Sequence, residues 1–491
     1  MTAGSRTLAV LALAAWVACS GGGGGGSVVV DPTAVSLGAI NVIGSAGVAR
    51  TLWDTDNSEV LFDGTPGVPA DLALGMVAAI QGTPGSEPDT GTAQFIEVDD
   101  LLEGPLDVVV DMGANRKELE MVGQTVIALR EGTYFGGDMG FDFDTLAPDD
   151  LLEVWGYLDG TGQVHATRIE KNGVFGGGVP NVAIKGDLSN LMIAGDGGSF
   201  EVGGLTVLYD DADLVGVPGG EAGLAGNPYV GVLGAYDALQ GEITASEVSI
   251  EGPFTSTVSN VGIEGIVSDF TSLSSPFKVG FQPVQALPFV QQEPPDLSSF
   301  LANGMLILAE GSMSNSLLTA DTLRFREAEL RIAAQLASDD DVDAGAGTIV
   351  LLGIPIDVDA VTRFEDARSG VDPLTLAHLM AGDYLDVRGI DLDGTVLATS
   401  LVRGNAADVK LRGPVEAFNG PPTNDFTILG VLVPTNGSTL FTGFPSVSNQ
   451  NEYYSYLFSN PGSLVEATDL QGDGSEANID VANEVELADD L

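Results

Sequence analysis

Apolar and polar residues alternate with a period of two over short runs along this chain, and turn residues close each run. From Tyr384 onward, Leu385, Val387 and Gly389 share one face, while Tyr384, Asp386 and Arg388 share the other. Asp393-Gly394 follows, a pair that tolerates positive φ and marks a hairpin turn. Leu397, Thr399 and Leu401 then alternate with Val396, Ala398 and Ser400. This pattern predicts paired strands rather than helices. Leu151 to Glu170 repeats the layout around the turn Asp159-Gly160-Thr161-Gly162. Earlier hairpins are predicted at Lys117 to Leu129, Ser199 to Asp210 and Gly347 to Asp359. A short Leu-Ala-Gly segment lies between the two hairpins, at Ala70 to Gly75, Leu297 to Gly304 and Leu376 to Gly382, and reads as one helical turn.

The pattern returns at a fixed period. A strand ends on a small residue at Gly82, Gly156, Gly234, Gly311, Gly389 and Ala467, spaced 74, 78, 77, 78 and 78 residues apart. A second strand carries an alanine at Ala93, Ala166, Ala245, Ala320, Ala398 and Ala482. A repeat of this length means one small unit used many times. Six modules follow: residues 35–104, 105–173, 181–253, 258–326, 329–404 and 408–491, with Gly176 to Pro180 as a linker. The expected fold is all-β, six small barrels in tandem, each closed around its own core. The small residues are expected at strand bends, where a side chain would crowd a tightly curved barrel.

A strand pair, a turn, a short Leu-Gly segment and a closing hairpin ending in Ala166-Thr167-Arg168-Ile169 or Ala398-Thr399-Ser400-Leu401 resembles a known family. It is similar to the tandem OB-like β-barrel domain of unknown function found in secreted bacterial lipoproteins. The resemblance implies architecture, and it brings no catalytic residue.

The N-terminus fits that resemblance. Arg6 precedes an apolar run from Leu8 to Val17, too short to span a bilayer. A basic start, a short apolar stretch and a small residue before a cut describe a signal peptide, here 1–18. Val17-Ala18-Cys19 resembles the lipobox of bacterial lipoproteins, with Trp16 where that pattern prefers Leu. Cys19 is the one cysteine of the chain. It is followed by Ser20 and six glycines, so 19–34 reads as a lipidated anchor and a flexible tether. An ordinary signal peptide with an incidental cysteine is the alternative. Ser20, rather than Asp, implies by resemblance the outer membrane of a Gram-negative bacterium, facing the periplasm or the exterior. No later apolar run is long enough to cross a bilayer.

Charge narrows the partners. There are 70 acidic residues against 18 basic ones, a formal net charge of −52. Nucleic acid and anionic lipid surfaces need basic partners, so both are disfavoured. Membrane association is expected through the lipid alone.

Chemistry is sparse. The two histidines, His165 and His378, fall within repeated structural elements and read as structural. No G-x-S-x-G elbow occurs. Zinc and thiol sites need clustered Cys and His, and Gly-Lys of a phosphate loop is missing. One segment has calcium-loop order: Asp469, Gln471, Asp473, Ser475 and Asp480 stand at positions 1, 3, 5, 7 and 12, with Gly474 at 6. Gln471, Glu476 and Asp480 depart from the pattern, and a solvated hairpin turn is the competing reading. Asp339 to Asp343 is a similar acidic loop. Tyr453, Tyr454, Tyr456 and Phe458 read as inward and outward positions of one strand, with a sugar-stacking platform as the alternative. The expectation is a non-catalytic envelope lipoprotein that binds or spaces polysaccharide or envelope protein, without a required cofactor. The alternative is a calcium-dependent carbohydrate binder or hydrolase using loop carboxylates.

Overall fold

The computed structural model describes residues 33–488, apart from 42–44, 88, 113–115, 131, 195–196, 253–256, 294–296, 300, 326–329, 359–361, 369–373, 393–394, 421–422, 445–446, 448, 461 and 471–476. Cys19, the signal segment, the tether as far as residue 32 and the Asp393-Gly394 turn lie outside the described residues, and Ala34, expected in the tether, opens the first strand. The described chain is all-β, with short 3-10 turns and one α-helix, Gln450–Ser459. No described helix is long and apolar enough to cross a membrane. The chain forms two compact units, one up to Arg324 and one from Phe325.

Large mixed sheets replace the expected separate barrels. In the first unit, module 1 joins module 4 through parallel strands Ala34–Ala39 and Val258–Ser268, in register from Ala34↔Asn260 to Leu37↔Ile263. The first strand of module 2 is Leu102–Asp111, so it starts before the expected boundary at 105, and it joins module 3 at Asn181–Ile193, Glu103 facing Ala183. In the second unit, Leu330–Gln335 meets Val409–Pro414. The cores are shared as well. One apolar cluster runs from Leu102 to Val248 and another from Leu330 to Leu487. Repeats that run on through shared sheets behave as neighbours in a β-solenoid do. The expectation of near-independent modules is therefore corrected: their sheets and two of their apolar clusters run across module boundaries.

Hydrogen bonds within this arrangement form rings. In module 2, Leu102–Asp111 pairs with Arg116–Met121, and that strand with Gln124–Leu129. Gln124–Leu129 lies parallel to Val164–Val174, which pairs with Asp150–Leu158, and the last strand returns to Leu102–Asp111. Module 3 repeats the order. The parallel pair requires a crossover, and the helical turns supply it at Pro69–Asp71, Phe143–Thr145, Gly220–Gly226, Leu297–Ser299 and Leu376–His378.

Four of the six bend residues sit at β-bulges, and Ala467 pairs without a register shift. Gly82 faces Ala93, Gly156 faces Ala166, Gly234 faces Ala245 and Gly389 faces Ala398, each beside a register shift. A Cβ added at Gly82, Gly156, Gly234, Gly311 or Gly389 would stand 2.0–2.4 Å from a carbonyl oxygen of the partner strand. The bulge inserts one residue, so inward positions change parity: Val396 and Ala398 are buried, and then Leu401. Strict alternation through Thr399 is thus corrected. In module 6 the partner of Ala467 is Val485, not Ala482.

The aromatics Tyr453, Tyr454, Tyr456 and Phe458 lie on the α-helix and not on a strand. Asn449 caps it by accepting from the Glu452 amide at 3.1 Å. Helical spacing turns Tyr453, Tyr454 and Leu457 inward, where Tyr453 packs 5.0 Å from the Phe441 ring. Phe458 is 80% exposed, so the four do not make one stacking platform.

Candidate functional site: an acidic cavity in the first unit

Module 1 passes to module 2 without a loop. Strand Thr90–Val98 ends, Asp99-Asp100-Leu101 follows, and strand Leu102–Asp111 begins at once. The Leu101 amide donates to the Val154 carbonyl, and the Leu101 carbonyl accepts from the Lys185 amide at 3.0 Å. These two bonds fix the junction between neighbouring strands. Glu97 and Asp100 are buried, and the Asp99 side chain is 6% exposed.

The acids surround a cavity of about 370 Å³ lined by all four modules of this unit. Module 1 supplies Glu97, Asp99 and Asp100, and module 2 supplies Tyr157 and the Asp159 to Gly162 turn. Module 3 supplies Lys185 and Tyr229, and module 4 supplies Glu264 and Phe281. The Tyr157 hydroxyl accepts from the Ala39 amide at 2.7 Å and donates to Glu264 at 2.6 Å, tying three modules together. Tyr229 and Phe281 stack at 4.9 Å. Lys278 on module 4 pairs with Asp187 on module 3 at 2.9 Å.

One buried cation serves several carboxylates. Lys185 Nζ lies 3.6 Å from Asp99 Oδ2, beyond hydrogen-bond range. Among the described residues neither Asp99 oxygen has a hydrogen-bond donor. Asp63 accepts from the Asp100 amide, and Ser249 donates to Glu251. Burial, followed by the charge on Asp99, pushes the Glu97 carboxyl up to about 9. Burial raises Asp99 to about 7 against the pull of Lys185, and burial with Asp63 holds Asp100 well above the carboxylate range. Burial alone would pull the Lys185 ammonium down, but Asp99, Glu251, Asp63 and Asp100 together raise it. Burial thus favours the protonated form of Glu97 more strongly than that of Asp99, which Lys185 helps to ionise. Nearby, Asp100, Glu103 and Glu153 offer oxygens within 4.8 Å of one another. Three carboxylates have the donor type of a calcium site, and one oxygen from each supplies half or fewer of its six to eight ligands.

Of the positions singled out from the sequence, Gly156 and the Asp159 to Gly162 turn line the cavity, whereas the calcium-loop residues and the histidines do not. Asp469 ends strand Leu464–Asp469 and accepts from the Asp480 amide at 3.0 Å, closing the base of its loop, and Asp480 is exposed. Gln471, Asp473 and Ser475 lie outside the described residues. Asp339 to Asp341 form a 3-10 turn, with Asp341 accepting from Ser338 and Asp343 from Gly345. His165 lies 3.4 Å from Asp159 on its hairpin, and His378 accepts from the Thr375 amide at 3.1 Å inside its turn. The cavity acids escaped the sequence reading. Their one signal is the run Ile96-Glu97-Val98-Asp99-Asp100-Leu101, acids between apolar residues just ahead of Gly104-Pro105 at the module boundary.

Comparison with known families finds two matching segments, residues 108–170 and 340–401. Both are similar to the Domain of unknown function (DUF5666). The first DUF5666 segment spans most of the module 2 ring, and the second reaches the Gly389–Ala398 bulge of module 5. The first also contributes Tyr157 and the Asp159 to Gly162 turn to the cavity. No curated protein matches the chain.

Proposed function

We propose that this chain is a non-catalytic binding protein of the bacterial envelope, exported, held by a lipid on Cys19, and built from OB-like modules. The strand order first-second-third-fifth-fourth-first, with a helical turn before the fourth strand, supports the OB-like reading. Barrels of this kind often bind oligosaccharides or oligonucleotides, and the net charge of −52 disfavours the second. The observation that carries the reading is the cavity, where four repeats converge on a buried carboxylate that lacks a donor. Concave sites with convergent polar groups are the usual form of a ligand pocket. The test is a thermal-shift screen of glycans, amines and divalent cations on the full chain. Ligands that raise the transition of the first unit support the reading, and a screen in which nothing binds rejects it.

A hydrolase is the second reading, favoured by Glu97. A carboxyl kept protonated at neutral pH beside an ionisable Asp99 has the form of a general acid with its partner. Turnover of a chromogenic glycoside, lost in Glu97→Gln, would select this reading over the first. The same assay repeated with calcium and chelator tests calcium dependence.

A further inference from the structure

We infer that the cavity of the first unit receives a small organic cation, whose ammonium group sits against the Asp99 carboxylate. This rests on the cavity being a ligand site and names its ligand class. Size comes first. About 370 Å³ falls within the range of small-molecule pockets and is roughly ten times the share of one water in the liquid, so a bare ion would leave most of it unfilled.

Charge comes next. A buried carboxylate without donors is costly, and its usual partners are N–H groups. Lys185 forms an ion pair with Asp99 at 3.6 Å, longer than a good hydrogen bond, and its one charge also acts on Glu97, Asp100, Asp63 and Glu251. An added ammonium supplies the missing donors and offsets the excess of acids. A metal fits less well. The described acid trio close enough to chelate is Asp100, Glu103 and Glu153, which contains neither Glu97 nor Asp99. The walls suit an organic body, with Leu37 and Val77 as apolar surface and the Tyr229–Phe281 stack as a face for a cation.

The experiment is titration calorimetry on the full chain at about pH 8, where Asp99 is ionised. The probes are cyclohexylamine, an ammonium at this pH, against cyclohexanol, and calcium chloride at matched ionic strength. An amine is expected to bind at least about tenfold tighter than its hydroxyl counterpart, the worth of one charge-assisted hydrogen bond. Asp99→Asn is expected to erase that preference while the protein keeps its far-ultraviolet circular dichroism. A second readout needs no variant. Near pH 7 the amine displaces a proton held among Glu97, Asp99 and Asp100, so the binding enthalpy should vary with the ionisation enthalpy of the buffer. Equal binding of amine and alcohol would leave the cavity a ligand site but overturn the cation. Calcium binding that Asp99→Asn abolishes would overturn it in favour of a metal. If nothing binds, both this inference and the reading beneath it fail.

Discussion

Gly389→Ala is expected to destabilise the second unit by about 2 kcal/mol. The added Cβ would stand 2.4 Å from the Leu397 carbonyl oxygen and 3.0 Å from Val396 Cγ1. Ordinary contact with that oxygen requires the strands to separate by nearly 1 Å, yet the ladder pins both sides, at Arg388↔Ser400 and Ile390↔Leu397. Overpacking of this kind costs roughly 1–3 kcal/mol, toward the upper end where backbone must move. Loss of glycine's freedom in the unfolded chain returns about 0.4–1 kcal/mol. At 2–4 °C per kcal/mol for a unit of this size, the midpoint should fall by roughly 4–8 °C. The control is Gly404→Ala on the partner strand, where the new Cβ meets only Tyr384 Cδ1 at 3.7 Å. Its midpoint should hold or rise slightly. Calorimetry on both variants decides the matter. A Gly389→Ala midpoint within about 1 °C of wild type, or equal losses in both variants, would refute the bulge argument.

Other outcomes follow from the same structure. Glu97 and Asp99 have folded pKa values of about 9 and about 7, above their unfolded values, so their contribution is full at low pH and is lost as pH rises toward those values. Counting the pair as one retained proton gives about 3 kcal/mol lost from the first unit between pH 5 and 7. Glu97→Gln should flatten that slope, and a slope that survives the substitution contradicts the assignment. A fragment of residues 329–404 should stay unfolded while 325–491 folds, because Leu330 to Leu487 form one core, and a cooperative melt of the shorter piece would argue against a shared core. Labelled fatty acid should enter the wild-type chain and not Cys19→Ala, and an unlabelled wild type removes the lipid anchor. Chelator should leave both thermal midpoints in place, and a calcium-dependent rise would restore Asp469 and Asp480 as ligands.

The repeat and its bend residues were legible because they depend on local chemistry. A bulge needs a residue without a side chain opposite a carbonyl, and the period of the glycines shows where that happens. The helical turn at Leu376–His378 was legible too, from its Leu-Ala-Gly composition. The helix Gln450–Ser459 was not, because aromatic residues favour strands and only its packing against Phe426 and Phe441 settles the matter. Thr399 shows a finer limit, since a bulge changes inward parity without marking the hydrophobic pattern.

By itself the sequence determined an all-β chain, its period, the glycines that permit its bends, and an excess of negative charge. The tertiary structure alone decided which repeats share a sheet, module 1 with module 4 and module 2 with module 3. It alone made Glu97, Asp99 and Asp100 a site, because a carboxylate among 70 acids is ordinary until residues from four modules close over it. The physical reason is range. Turns and bulges are set by neighbours a few residues apart, whereas burial of a charge depends on Lys185, Tyr229 and Phe281, far along the chain from Asp99.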